Sequence, residues 1–579
     1  MKPSHCSAVR ILLLSFALGL CAQPAGAAAG DRRMCAEWEP AFGTLIRWPL
    51  GIPSDLVVEL AADDSLYVLV ETSGQESQAR SAFTAYGVDL DHVRFIRAAT
   101  YSHWTRDWGP HSIFDDDGVY GITDPYFDGY PWVPGCFIDS DTYLPSAGGT
   151  VPRRGEVRGY EEDDAVNAVL AEEFNCPLHE MPAYCTGGNI MGDGRGIAFS
   201  TRRMVNENAP LWSEEEFRQI AQQYLGVRSY HFLDDPEVHG IQHIDCYAKL
   251  LDEETVLVKE VSPGHPEYAC IERLVDQFSA VTNCYGRPYT IVRIYCGSYG
   301  GSAVAAYTNS LILNRKVLVP LFGITSDAAA LETYRQALPG YEVLGFHSSS
   351  WYYYDALHCR TMGIFDRHML RLAHRPLDAE VPLAGEYTID ALIDDRSEQG
   401  LVADSLRVHW RVAGAGDWQF APFSATAAVD SFRAVIPWQA PGTAVEYFLT
   451  AADSTDRRET LPRGAPAGVY RFVVLGDPAH TPNGGLDEAG WRLHLAPNPF
   501  QNGTHVGLDL PAADRLRVTV LDVTGRPVRT LYAGPAVGAL DLRWNGAADG
   551  GRPCPAGVYA IVARDSRGGC VERRCLLIR

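Results

Sequence analysis

The feature that most constrains this chain is a theme repeated five times between residues 35 and 375: an apolar strand, an amphipathic helix, then another strand. The first unit reads as a strand at 66–70, a helix near 75–86 and a strand at 93–96, and the second as a strand at 119–122 and a helix near 163–174. The third has a strand at 196–200 and a helix near 213–224; the fourth has 255–258, a helix near 269–282 and 289–295. The fifth has strands at 311–313 and 317–320, a helix at 328–338 and a strand at 341–346. The helices carry apolar residues at i, i+3 and i+4, and the strands are short and rich in Val, Ile and Tyr. Five such units fit either a doubly wound sheet or a ring of repeats.

Beyond residue 377 the texture changes. Short alternating strands at 405–412, 434–438 and 444–451, separated by Gly, Pro and Asp turns, predict a β-sandwich over 377–475. A Gly-, Pro- and Asn-containing stretch at 476–490 reads as a linker. A second sandwich is expected over 491–579, with strands at 515–521, 538–544 and 557–563. A division into several domains is what 579 residues require, since one core does not grow that large.

Residues 1–28 read as an export signal. Lys2 and Arg10 precede an apolar run from Ile11 to Cys21, and Ala25, Gly26, Ala27 and Ala28 supply small residues for cleavage. That run is too short to span a bilayer, and no later stretch is long enough. The net charge of −23 argues against nucleic-acid binding, which calls for clustered Lys and Arg. It favours a cationic substrate, although an acidic surface also serves solubility. Of 14 cysteines, Cys6 and Cys21 fall in the signal. Export permits disulfides, and Cys554, Cys570 and Cys575 are expected to be local partners. No cluster has zinc spacing.

Five polar motifs punctuate the repeats: Trp104-Thr105-Arg106-Asp107-Trp108-Gly109-Pro110, Thr186-Gly187-Gly188-Asn189, His243-Ile244-Asp245, Tyr307-Thr308-Asn309 and His358-Cys359-Arg360. On a strand, His243 and Asp245 would share one face, with Ile244 and Cys246 turned into packing. Singly each motif has an ordinary structural meaning: a hydrogen-bonded histidine, a tight turn, a surface ion pair or a buried thiol. Together they match the needs of guanidinium chemistry. A planar cation with paired N–H donors suits two carboxylates, Asp107 and Asp245. Its carbon calls for a soft nucleophile, Cys359, whose thiolate a nearby cation favours. His243 is the candidate proton donor and base. Trp104 offers an aromatic face, and Asn309 orients the thiol or the substrate.

These residues resemble the guanidino-group-modifying, or pentein, enzymes, and among them the agmatine deiminase and bacterial (Porphyromonas-type) peptidylarginine deiminase family. Ala36-Glu37-Trp38-Glu39-Pro40 looks like the family's opening motif, and the later motifs follow in order over about 35–375. The resemblance implies a five-fold pseudo-symmetric α/β propeller over 29–376, a covalent thiouronium intermediate and no obligatory cofactor. It places Cys359, His243, Asp107, Asp245 and Asn309 in catalysis, and Trp104, Arg106, Thr186, Gly187, Gly188 and Asn189 against the substrate. Thr186 and the run Ala356-Leu357-His358-Cys359-Arg360 are similar to the peptidylarginine branch, where agmatine deiminases usually carry Glu and a Gly-Gly-Gly-Asn-Ile run. One departure stands out: from Trp108 to Pro152 there is no Arg or Lys to grip a terminal carboxylate, and Tyr126, Phe127, Tyr130 and Trp132 make that stretch aromatic. The part after Trp544-Asn545-Gly546 resembles FlgD-like, secretion-sorting Ig-like modules, which implies attachment to a surface or a secretion machine.

The leading expectation is therefore an exported hydrolase that converts peptidyl or free arginine to citrulline and ammonia. Agmatine deimination to N-carbamoylputrescine is the alternative. A cysteine protease has no use for two carboxylates beside its thiol, and a non-catalytic surface protein would not need the intact set.

Overall fold

The computed structural model describes residues 32–129, 160–209, 211–236, 241–475, 492–501, 503–523, 525–565 and 570–578. The expected signal at 1–28, the expected linker at 476–490, and Tyr130 and Trp132 of the aromatic stretch lie outside the described residues.

Among the described residues through 365, five sheets share one design, beside a two-stranded hairpin of Ser298–Gly300 and Ala303–Val304. An antiparallel pair comes first, and its later strand then crosses over through a helix to a parallel partner. In the third unit Met191–Gly192 pairs antiparallel with Ile197–Thr201, which pairs parallel with Ser229–Leu233 across the helix Glu214–Leu225. The fourth sheet is Ala248–Leu250, Thr255–Glu260 and Thr290–Tyr295 around the helix Tyr268–Ser279. The fifth is Leu311–Leu313, Lys316–Leu321 and Glu342–His347 around Asp327–Ala337. The remaining two centre on Ser65–Val70 with its helix Ser73–Tyr86, and on Tyr120–Tyr126 with Val166–Glu173. Separate sheets exclude the single doubly wound sheet that the sequence pattern left open. Met362–Phe365 returns to pair with Ala41–Arg47, which stitches the end of this region to its beginning.

Local chemistry explains the elements. Ser213 and Glu216 form a reciprocal capping box at the start of Glu214–Leu225, and Gly226 ends it at φ +70°. Phe217, Ala221 and Leu225, spaced by four, face inward along one stripe. In Thr255–Glu260 the four central residues are all buried, as a parallel strand covered on both faces requires. One continuous apolar core joins the third, fourth and fifth units through Phe199, Leu257, Phe278, Val317 and Tyr334.

The segment 377–475 forms two sheets over one core that includes Ile389, Trp410, Tyr447 and Phe472. It is tied firmly to the first region. Arg457 pairs with Asp366 at 2.7 Å, Arg287 with Asp378 at 2.7 Å, and the Arg463 guanidinium donates to the Trp38 carbonyl. Gly340 (φ +91°) lies so close to the Gly464 carbonyl that a Cβ would sit 1.9 Å from its oxygen, so both the backbone angle and the contact demand glycine.

The last segment departs from the expected two-sheet sandwich. Its described strands form one hydrogen-bonded five-stranded sheet. Two strands of 18 residues, Thr504–Leu521 and Pro527–Trp544, run past register shifts that bend them around a core holding Trp544. The expected local disulfide is also absent: Cys570 and Cys575 are free thiols, so neither bonds to Cys554.

Candidate active site

Four of the five motifs sit on short helical turns rather than on strands: Thr105–Trp108, Gly187–Asn189, Ile244–Cys246 and His358–Arg360. The strand placement expected for His243 and Asp245 is thus corrected. A single tight turn brings both side chains to the same centre, while Ile244 and Cys246 do go into the core as the sequence predicts. The turns touch one another, Thr105–Trp108 packing on Gly187–Asn189 and on His358–Arg360, and Gly187–Asn189 on Ile244–Cys246.

Gly188 marks the meeting point. A Cβ there would lie 2.5 Å from Asp107 Oδ1, 2.8 Å from His243 Nδ1 and 3.2 Å from Asp245 Oδ2. The Gly188 backbone N–H donates to Asp107 Oδ1 at 3.1 Å, and His243 Nδ1 stands 3.4 Å from the same oxygen. Cys359 Sγ lies 3.8 Å from Asp245 Oδ2 and 3.9 Å from the Tyr354 carbonyl. Asn309 holds the thiol: its Nδ2 donates to Sγ at 3.2 Å, while its Oδ1 accepts from the backbone N–H groups of His358 and Cys359. Residues separated by up to 252 positions therefore share one buried pocket.

The electrostatics are those of an anionic, water-poor site. Burial pushes the Cys359 thiol well above its ordinary range, and the charges of Asp245, Asp107 and Asp355 push it further. Asp245 moves the other way. Burial would raise it, but the hydrogen bond and charge of His358, then His243 and Lys249, hold it below the usual carboxylate range. These fields favour a charged Asp245 carboxylate and a protonated Cys359 thiol.

The residues expected on the substrate side are held in different ways. Trp104 caps Thr105–Trp108, lies edge-near His103 and shares the Asp355 carboxylate with it. Gly187 and Gly188 are at the centre. Asn189 instead serves as a bracket: its Oδ1 accepts from the Thr201 N–H and hydroxyl and from the Ile244 N–H, fixing the turn that carries Asp245. The Thr186 carbonyl accepts from the Asn189 N–H. Arg106 turns toward the scaffold: its Nε donates to the Thr361 carbonyl and its guanidinium lies 3.9 Å from Glu37.

Three charged groups were not assigned roles by sequence reasoning. His358 bridges Asp245 and Glu37. Arg360 makes a two-point bond to Asp355 at 2.9 and 2.6 Å and also grips the Gly51 and Ser350 carbonyls. Both flank the nucleophile inside the quoted motif, and Glu37 sits in the opening one; that adjacency was the available signal.

Residues 33–364, more than half of the chain, match the model of the Porphyromonas-type peptidyl-arginine deiminases. The chain belongs to that family. It is an enzyme of the protein-arginine or agmatine deiminase type, a hydrolase of amidine C–N bonds. Among relatives, this deiminase is 23% identical over 370 residues to the agmatine deiminase of Medicago truncatula, covering 55% of its own length and 91% of the relative. The solved agmatine deiminase of Enterococcus faecalis is 20% identical, with 58% and 96% of the two chains covered and a TM-score of 0.48. That of C. jejuni is 17% identical over 58% and 96%, with a TM-score of 0.45.

Among the described residues no group of three or more His, Cys, Asp or Glu has the placement to hold a metal ion, and no helix is long and apolar enough to cross a membrane.

Proposed function

We propose that this deiminase hydrolyses the guanidinium of arginine, peptidyl or free, to citrulline and ammonia. The observation that carries the reading is the Cys359 sulfur 3.8 Å from Asp245, within a pocket that Asp107 and His243 share around Gly188. Asp107 and Asp245 bind the paired N–H edges of the headgroup and hold its plane across the sulfur. The arriving cation offsets the carboxylates, so the Cys359 proton passes to His243 and the thiolate attacks the central carbon. His243 delivers a proton to the departing nitrogen, the C–N bond breaks and ammonia leaves, with the amidino carbon bonded to sulfur. His243 then takes a proton from water, the hydroxide adds to that carbon, the C–S bond breaks, and the ureido product and thiol are released. Asn309 keeps Sγ aimed throughout.

Two features support arginine over agmatine. Agmatine's distal ammonium needs a carboxylate, and among the described residues Asp355, which bonds Trp104, and Asp163, which holds the Tyr101–Ser102 backbone, are committed elsewhere. Asp355 is taken by Arg360, and Asp163 accepts from the Tyr101 and Ser102 N–H groups. The missing basic residues in 108–152 fit an arginine within a chain better than a gripped C-terminal carboxylate. The second reading, agmatine deimination, is favoured by relatives that carry that name. We further read the five sheets as surrounding one centre in the pentein manner, residues 1–28 as an export signal, and 377–475 and 491–579 as Ig-like and FlgD-like attachment modules. A colorimetric ureido assay across free arginine, agmatine, and peptides with internal or terminal arginine tests the substrate. Turnover of internal arginine above agmatine is expected, and turnover of agmatine alone overturns the preference.

A further inference from the structure

We infer that His358 and Glu37 are positioning residues that lock the second carboxylate of the site, Asp245, into its substrate-binding orientation. The inference rests on the functional reading above but concerns residues which that chemistry does not touch.

His358 has a carboxylate oxygen at each ring nitrogen: Asp245 Oδ2 lies 2.8 Å from Nδ1 and Glu37 Oε2 lies 2.7 Å from Nε2. A neutral imidazole donates from one nitrogen only, so both contacts are satisfied only by the imidazolium. Glu37 is in turn anchored through its other oxygen. Oε1 accepts from the Ile312 backbone N–H at 2.8 Å and lies 2.7 Å from the ammonium of Lys249, itself buried. Arg106 approaches the His358-facing oxygen at 3.9 Å. A chain of alternating charge thus runs from Lys249 through Glu37 and His358 to Asp245. It draws on the opening motif, the strand Ala248–Leu250 and two of the central turns.

The consequence for chemistry is orientational. Asp245 presents its Oδ2 to both the sulfur and Gly188, and His358 fixes it there. Without that bond the carboxylate can rotate and present its oxygens out of line with Sγ. The chain also balances charge. Its carboxylates, Glu37 and Asp245, are matched by Lys249 and the His358 imidazolium.

The test compares two alkylating agents of nearly the same shape on the full-length protein: chloroacetamidine, a planar cation, and neutral chloroacetamide. Both displace chloride with the Cys359 sulfur, so the ratio of their rates reads how well the carboxylates hold a cation over the thiol, whatever the fraction folded. His358→Gln places its amide on the Glu37 side and removes the donor to Asp245, whereas His358→Asn retains a donor near the Nδ1 position. The amidinium preference should fall about tenfold or more in His358→Gln and in Glu37→Gln, as expected on losing a charge-assisted bond. It should stay within about threefold of the parent in His358→Asn. A parent-like ratio in His358→Gln, or equal losses in the Asn and Gln variants, overturns the inference. Failure of the parent to release ammonia from any guanidine overturns the functional reading separately, and leaves the ratio still measurable.

Discussion

At the scale of single residues, the site resolves a conflict between holding a cation and keeping a nucleophile. Two buried carboxylates and an uncharged thiol are compatible; two carboxylates and a thiolate without substrate are not. The raised Cys359 thiol makes the prediction specific: at neutral pH iodoacetamide should label Cys359 slowly, with labelling accelerating only as pH rises past the ordinary thiol range. Faster labelling than of a free cysteine at pH 7 would contradict this electrostatic account. Cys359→Ala should lose about 10⁴-fold or more in ammonia release while keeping the parent's unfolding transition. Asp107→Asn, which retains shape but not charge, should lose about 10²–10³-fold.

At the scale of elements, the decisive device is the short turn at which Gly188 leaves room. Gly188→Ala would drive a methyl group among Asp107, His243 and Asp245, so kcat/KM should fall about 10²-fold or more. Activity close to the parent would show that these three groups do not converge on substrate. The helices were legible in the sequence from their apolar stripes, sharpened in places by a recognisable start and stop, as Ser213, Glu216 and Gly226 supply for Glu214–Leu225. The turns were not. His243-Ile244-Asp245 has the alternation of a strand, and only packing against Gly187–Asn189, with Asn189 capturing the Ile244 N–H, folds it into a tight turn. The residue types that meet around Gly188 were readable as a set because guanidinium chemistry demands them together. The roles of Glu37, His358 and Asp355 were not, since each depends on a partner distant in sequence. For Arg106 the motif gives proximity to Asp107 but not the direction of the side chain, which reaches Thr361 and Glu37.

At the scale of the whole molecule, the deiminase region and the segment after it behave as one body. The Arg457–Asp366, Arg287–Asp378 and Arg463–Trp38 links and the Gly340–Gly464 contact bind them, so ending the chain at residue 376 should lower the melting temperature by several degrees, whereas ending it at 475 should leave turnover unchanged. Acid stability has an identifiable origin in Glu39. Burial opposes its charge, but Arg33 and Arg371 hold its pKa down to about 2 from 4.5. A depressed folded-state pKa contributes stability above the unfolded value that is lost as pH falls toward the folded one. About 3 kcal/mol should therefore disappear between roughly pH 4.5 and 2, and Glu39→Gln should flatten that part of the denaturation profile. The proposed mechanism turns on one event, bond formation between sulfur and the guanidine carbon. Rapid acid quenching during turnover, followed by mass analysis of the digested protein, reads it directly. The account predicts a transient adduct on the Cys359 peptide weighing the substrate less one ammonia; steady turnover with that adduct on another residue, or undiminished in Cys359→Ala, would contradict it.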